Sequence, residues 1–306
     1  MDGMRSLVVG FGSAGQRHSR LLEDLGHEIV VVSEQEHVPY PRFASVEEAI
    51  LRHQPQYVVI ASPTTRHAAN FASVCSTGFI GSMLIEKPLF NRYLENPTID
   101  RPRTFVGYNL RFLAALQHIR SLVSGERVLS ANLYDAQYLP DWRPHRDYRE
   151  TSSARADLGG GVLRDLSHEI DLAHYLFGNP QSVNARIGSS RTLEIDTEDS
   201  VDAILEMADG LVVTLHLSYL DRQPRRSIEI QTLKNSIYCN LLTGEVTVNG
   251  ASSLHPTDRI ATFREMHEDV LTNRHGRSCT FAEGVLVMRT MARMEESARS
   301  RRWVAW

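Results

Sequence analysis

The chain has 306 residues, 42% hydrophobic and 23% charged, the make-up of a globular protein with room for two domains and a core that needs no disulfide or metal. Its 33 basic and 37 acidic residues leave a net charge of −4, which argues against a surface built to coat nucleic acid. Three scattered cysteines, Cys75, Cys239 and Cys279, form no CxxC pair, so neither a cysteine zinc site nor a disulfide framework is expected, and the usage fits a reducing compartment.

In chain order, a first strand is expected at 6–9, which leaves no room for a signal peptide before it. The longest apolar runs, 29–32 and 57–61, are far short of the ~20 residues of a membrane span. A soluble, cytoplasmic protein is therefore expected. Gly10-Phe11-Gly12-Ser13-Ala14-Gly15 follows the strand and opens a helix over 14–25. In that context Gly10 serves a tight turn, Gly12 lets a pyrophosphate approach the backbone, and Gly15 lets helix and strand pack closely. The helix N-terminus offers free N–H groups to the phosphates. A second strand at 27–33 delivers Glu34, whose carboxylate would take a ribose 2′-OH and repel a 2′-phosphate. No arginine follows it directly, so NAD is favoured over NADP.

A helix over 45–53 has Ser45 as N-cap and Glu47 and Glu48 in its first turn. A strand at 56–61 leads into Ala61-Ser62-Pro63-Thr64-Thr65-Arg66-His67, a loop able to close over a cofactor or simply to cap the next helix, 65–77, which ends at Gly78. A strand at 83–85 precedes Glu86-Lys87-Pro88. A lysine at the carboxyl end of a parallel strand faces the ligand crevice and can hold or deprotonate a hydroxyl, with the proline, as a constrained turn, aiming it. Taken alone it also reads as a solvated strand end.

Beyond about residue 120 the pattern changes to an extended run at 130–138 and a loop at 141–150. The loop crowds Trp142, Arg143, His145, Arg146, Tyr148 and Arg149, a set that suits an anionic, ring-bearing substrate or an ordinary surface. Gly159-Gly160-Gly161 enters a helix over 162–177. Leu163, Leu166, Ile170, Ala173 and Phe177 form its apolar stripe, and Asp165 and His168 share the other side. That face is either solvated or an acid–base wall. His168-Glu169 does not extend to HExxH, so no zinc site is expected there. Strands at 182–188, 200–207, 211–219, 226–233, 236–241 and 245–248 would pair as a mostly antiparallel sheet, and a helix over 281–299 closes the chain.

These motifs in this order resemble the Gfo/Idh/MocA family of nicotinamide-dependent oxidoreductases. The likeness rests on GFGSAG with Arg17-His18, ASPTTRH, EKP at 86–88, VGYNLRF at 106–112, and GGGVLRDLSHEIDLAHYLFG at 159–178, and it covers nearly the whole chain. It implies an α/β fold with an N-terminal Rossmann domain, 1–112, and a C-terminal α+β domain, 113–306, whose large open sheet builds a homodimer or homotetramer. It implies Lys87 and His168 as the catalytic pair with Asp165 assisting. The cofactor would meet Gly10, Phe11, Gly12, Ser13, Ala14, Gly15, Glu34, Ser62, Pro63, Thr64, His67, Glu86 and Lys87. The substrate would meet Lys87, Asn109, Arg111, Trp142, Arg143, Tyr148, Asp165 and His168. The chain departs from the family pattern in spacing Asp165 and His168 as DxxH rather than DxxxH, and in a short, proline-containing segment between Leu89 and Thr104.

The expected function is hydride transfer between NAD and a secondary hydroxyl or ketone of a sugar, nucleotide sugar or cyclitol, without nucleic acid, membrane or metal. The alternatives are a redox-neutral, NAD-dependent glycosidase and a dinucleotide-binding sensor.

Overall fold

Short runs rich in Val, Ile and Leu, apolar on both faces, make the strands of the first sheet, because a parallel sheet is covered on both sides. The computed structural model describes residues 3–95, 103–272 and 275–306. The elements run β1 (Arg5–Val9), α1 (Ser13–Asp24), β2 (Glu28–Val32), β3 (Arg42–Phe43), α2 (Val46–His53), β4 (Tyr57–Ile60), α3 (His67–Ser76), β5 (Ser82–Ile85) and β6 (Thr104–Val106). They continue with α4 (Ala114–Val123), β7 (Val128–Ala136), α5 (Val162–Asp165), α6 (His168–Phe177), β8 (Pro180–Gly188), β9 (Ser200–Met207), β10 (Val212–Ser218), β11 (Arg225–Thr232), β12 (Ser236–Asn240), β13 (Glu245–Val248) and β14 (Ala251–Leu254). The chain closes with α7 (Arg259–Thr272), β15 (Cys279–Thr280), α8 (Phe281–Ser300) and β16 (Val304–Ala305).

Two compact units result. The first takes Met1–Asn109 and Phe263–Val285; the second takes Leu110–Thr262 and Leu286–Trp306. A division at residue 112 differs from this chiefly in the return of residues 263–285 to the first unit. That return is built on α7, whose buried Phe263, Met266, His267 and Val270 sequence patterning did not separate from a loop.

The first unit's sheet has the order β15-β6-β5-β4-β1-β2-β3, parallel except for β15 against β6. Leu7, Val8, Val31, Val58, Val59, Ile60, Leu84 and Ile85 are fully buried in it. Because β1 lies between β2 and β4, the strand order reverses at β1, and the carboxyl ends of β1 and β4 border the crevice where such sheets bind ligands. Ser45 caps α2 by accepting the Glu48 N–H at 3.1 Å, as expected.

The second unit's sheet has the order β14-β13-β12-β11-β7-β10-β9-β8-β16, antiparallel except for β7 against β10. Along β9, Val201, Ala203, Leu205 and Met207 are buried and alternate with exposed Asp202, Ile204 and Glu206, the signature of a sheet with one covered face. The helix expected over 162–177 is two helices, α5 and α6, broken at Leu166 and Ser167. The expected shortening of the first domain between Leu89 and Thr104 falls in part on residues 96–102, outside the described residues. Among the described residues no helix is long and apolar enough to cross a membrane.

Candidate active site

The carboxyl edge of the first sheet is built around three glycines with three different surroundings. A Cβ on Gly10, whose φ is +96°, would lie 2.6 Å from Ser62 Cα, and one on Gly15 would lie 2.0 Å from the Gly10 carbonyl oxygen. A Cβ on Gly12 would meet nothing within 4 Å. Gly10 and Gly15 are therefore closed by the protein's own backbone, while Gly12 faces open space at the start of α1. No side chain caps that helix and no acidic residue lies in its first turn, which leaves its N–H groups and positive end for an anion. These residues fit a dinucleotide pyrophosphate. Ser62 borders the turn, on the loop after β4.

Glu34 follows β2 and is largely exposed, where a ribose hydroxyl would reach it. No arginine follows Glu34 directly in sequence, but the fold brings one to it. Arg66, from the loop after β4, places its guanidinium 2.5 Å from Glu34 Oε1. Sequence distance hid this neighbour.

Glu86 and Lys87 follow β5, and the Lys87–Pro88 peptide is cis. Glu86 is buried, with His18 Nε2 at 2.7 Å and Arg17 Nη2 at 3.1 Å from its Oε1. Burial alone would raise its pKa, but His18, Arg17 and Lys87 together hold the carboxyl well below the usual range. Glu86 thus supports the turn from inside, its carboxylate held by Arg17 and His18. The same holds for His67. It is buried, with Nε2 2.9 Å from the Ser62 carbonyl oxygen and Nδ1 3.0 Å from that of Pro88, so it ties the two strand-end loops together. Lys87 is one of two lysines among the 33 basic residues; the other is Lys234. A chain that otherwise uses arginine keeps at this strand end the one basic side chain able to give up its proton readily.

In the second unit Asp165 ends α5 and His168 begins α6, so they do not share one continuous helix face as expected. The break reflects tertiary partners. The Tyr219 hydroxyl donates to Asp165 Oδ2 at 2.7 Å, and Arg226 pairs with Glu169 at 2.7 Å. Tyr219, just beyond β10, was not singled out from the sequence; a buried tyrosine seeks a polar partner, but nothing local says which. Trp142 sets its ring edge-on to Tyr219 at 5.2 Å, and its buried indole N–H has no hydrogen-bond partner among the described residues. Asp165, Tyr219 and Trp142 thus form one cluster. A Cβ on Gly160 would lie 1.9 Å from the Ser152 carbonyl oxygen, which explains the glycine run before α5.

Arg111, expected to meet the substrate, is enclosed by protein. It is 1% exposed and grips Asp171, itself 0% exposed, with Nη2 2.6 Å from Oδ1. Its guanidinium lies over the Tyr175 ring. The pair lies in the core of the second unit. Asn109 is also buried. In the arginine-rich loop, Arg149 pairs with Asp147 at 2.7 Å and Glu194 at 2.8 Å, while the Tyr148 hydroxyl accepts the Glu194 N–H. Arg143 is exposed. The charge of Arg149 is therefore spent locally.

Residues 116–238 match the model of the GFO/IDH/MocA C-terminal domain. Among curated proteins, an uncharacterized oxidoreductase of Synechocystis sp. is 24% identical over 194 residues, 58% of this chain and 52% of the relative. A 4-hydroxy-tetrahydrodipicolinate reductase of Staphylococcus saprophyticus is 43% identical over 49 residues, 15% of this chain and 20% of the relative. The chain thus spans about half of the first and a fifth of the second. Among solved structures, a levoglucosan dehydrogenase in complex with NADH and levoglucosan superposes with a TM-score of 0.82 at 19% identity, covering 99% of both chains. The WlbA dehydrogenase from Bordetella pertussis, in complex with NADH and UDP-GlcNAcA, gives 0.80 at 18% identity and 99% of both chains. At such identities the likeness establishes the shared two-sheet fold, as the motifs implied.

Proposed function

We propose that the protein is an NAD-dependent oxidoreductase acting on a secondary alcohol of a sugar-like ring. The observation that carries the reading is the retention of Lys87 at the carboxyl edge of the first sheet, beside the ionised Glu86, in a chain with a single other lysine. Bound NAD would supply hydride transfer. The α1 N-terminus and the open space at Gly12 would hold the pyrophosphate, and Glu34 the ribose. Lys87 and His168 would give and take the hydroxyl proton. Asp165, set by Tyr219, and the Trp142 N–H would orient the ring's polar groups.

The substrates named with the two similar structures are a levoglucosan and a UDP-GlcNAcA, which supports the class and leaves charged and neutral sugars both inside it. The local pairing of Arg149 weakens the argument for an anionic substrate. For assembly, we propose that a second copy of the chain covers the second unit's open sheet face. That face holds a groove of about 810 Å³ lined by Tyr134, Arg186, Asp202, His216, Arg225 and Tyr238. Sedimentation of the wild type against an Arg186→Glu, Tyr238→Glu variant tests it, the variant being expected to dissociate.

The test of the activity follows NADH absorbance with a panel of sugars, uronates, nucleotide sugars and cyclitols, using Lys87→Arg as control. Arginine keeps the charge but not the proton chemistry. Substrate-dependent turnover lost in the control supports the reading. Turnover that survives Lys87→Arg removes the lysine from it, and NADH binding without turnover across the panel favours the sensor.

A further inference from the structure

Behind Glu86 a set of side chains from distant parts of the chain meets inside the first unit. The Tyr57 hydroxyl is 2.8 Å from His267 Nδ1, His267 Nε2 is 2.9 Å from His18 Nδ1, and His18 Nε2 is 2.7 Å from Glu86 Oε1. Tyr57, His18 and His267 are each 0% exposed. The two imidazoles meet edge-on at 4.9 Å, and Arg17, 4.0 Å over the Phe263 ring, reaches the same Glu86 oxygen. His27, whose Nδ1 bonds Ser6 Oγ at 2.7 Å, adds its influence on His267.

The protons of this chain can be assigned. Glu86 is ionised and only accepts, so His18 Nε2 donates. Arg17 already supplies a positive charge to that carboxylate, and Lys87 is the next residue. At the far end, burial keeps the proton on the Tyr57 hydroxyl, and His267 Nδ1 lies 2.8 Å away to accept its hydrogen bond. His18 Nδ1 then accepts from His267 Nε2–H, and His267 Nδ1 accepts from Tyr57 O–H. Burial, with His18 and His27 nearby, holds His267 far below the usual imidazole range and so neutral. The chain ends on buried Tyr57, so it delivers no proton to water.

We infer that Tyr57, His267 and His18 form a one-way hydrogen-bond chain that fixes the Glu86 carboxylate and, through it, the setting of Lys87. They are positioning residues. The step from Glu86 to Lys87 is direct: the Lys87 backbone N–H donates to Glu86 Oε2 at 3.1 Å. A Cβ on Gly107 would lie 3.2 Å from the same oxygen, so the carboxylate fills the space beside that glycine. A buried acceptor at His18 Nδ1 without its donor would cost enough to rearrange the cluster. The inference rests on the acid–base reading of Lys87 for its purpose, but its geometry is tested without substrate.

The experiment is side-chain NMR on the full-length protein. In histidine-labelled wild type, His18 and His267 are expected to carry a proton on Nε2 and none on Nδ1; an Nδ1 proton on either overturns the chain's direction. In lysine-labelled protein there are two side-chain signals, assigned with Lys234→Arg. His267→Leu is expected to shift the Lys87 signal and leave Lys234 in place, and His267→Gln, whose amide still donates to His18, to restore it. An unmoved Lys87 signal in folded His267→Leu overturns the proposal. If that variant does not fold, Tyr57→Phe is read in the same way. With a substrate in hand, His267→Leu should lower kcat by about 10-fold with KM for NADH changed less than about 3-fold. Loss of the NMR effects with turnover intact sinks this inference alone; NMR effects present without dehydrogenase turnover sink the activity alone.

Discussion

Arg66 places its guanidinium 2.5 Å from the Glu34 carboxylate, joining the loops that follow β4 and β2. Both side chains are more than half exposed, so the pair itself contributes only about 0–1 kcal/mol and opens at little cost. A ribose hydroxyl can take Glu34, and a 2′-phosphate can take Arg66. On the proposed function, cofactor choice would be a balance of these two residues. Glu34→Ala should raise NADPH affinity relative to NADH by about 10-fold, and Arg66→Ala should shift the ratio the other way. Fluorescence titration with both cofactors reads this, and an unchanged ratio in both variants would remove the pair from cofactor selection.

The glycines of the turn separate folding from binding. Gly15→Ala drives a Cβ into the Gly10 carbonyl and should lower the melting temperature by several degrees, the cost of a core clash of about 1–3 kcal/mol. Gly12→Ala has open space and should fold normally, yet bind NADH at least about 10-fold more weakly. Equal melting losses in both would contradict the geometry.

Arg111 and Asp171 are a buried ion pair, where losing one partner strands a charge. Arg111→Met should destabilise the protein by about 3–5 kcal/mol, and adding Asp171→Leu should recover much of that. Urea unfolding measures both. A variant that keeps its unfolding midpoint and instead loses substrate affinity would return Arg111 to the binding site.

Glu169 shares Arg226 with Asp135, whose carboxylate also pairs with it at 3.2 Å. Burial is the main cause that raises Glu169 to about 8, with Asp135 adding to it and Arg226 opposing. A folded pKa above the unfolded 4.5 means that the native state holds the extra proton between those values. This contribution to stability is full below about 4.5 and is lost as pH rises through about 8. Thermal melts from pH about 5 to about 8 should therefore show a steeper fall in Tm for wild type than for Glu169→Gln. Parallel slopes would show that Glu169 stays ionised throughout.

Much of the first unit was legible because its signals are local. The alternation of apolar strands and helices, the glycine turn and the Ser45 cap each depend on residues within a few positions of one another. Strand positions in the second sheet were legible for the same reason, through period-two burial along β9 and its neighbours. The helix α7 was missed although Asp258 caps it, accepting the Ile260 N–H at 2.8 Å; its charged and polar residues hid the face that His267 and Phe263 bury. The break between α5 and α6 was missed because Tyr219 and Arg226, which hold Asp165 and Glu169 on either side of it, come from far along the chain.

The amino-acid sequence by itself determined the sheet class, the glycine turn and the place of Lys87, since turn chemistry and strand-end position follow from short-range pattern. Tertiary structure decided which charges find partners. Arg111 became core, Glu34 acquired Arg66, and Glu86 was tied to His18 and from there to His267 and Tyr57. Side-chain charge is read from a sequence one residue at a time, but its worth depends on the dielectric and the neighbours that folding supplies.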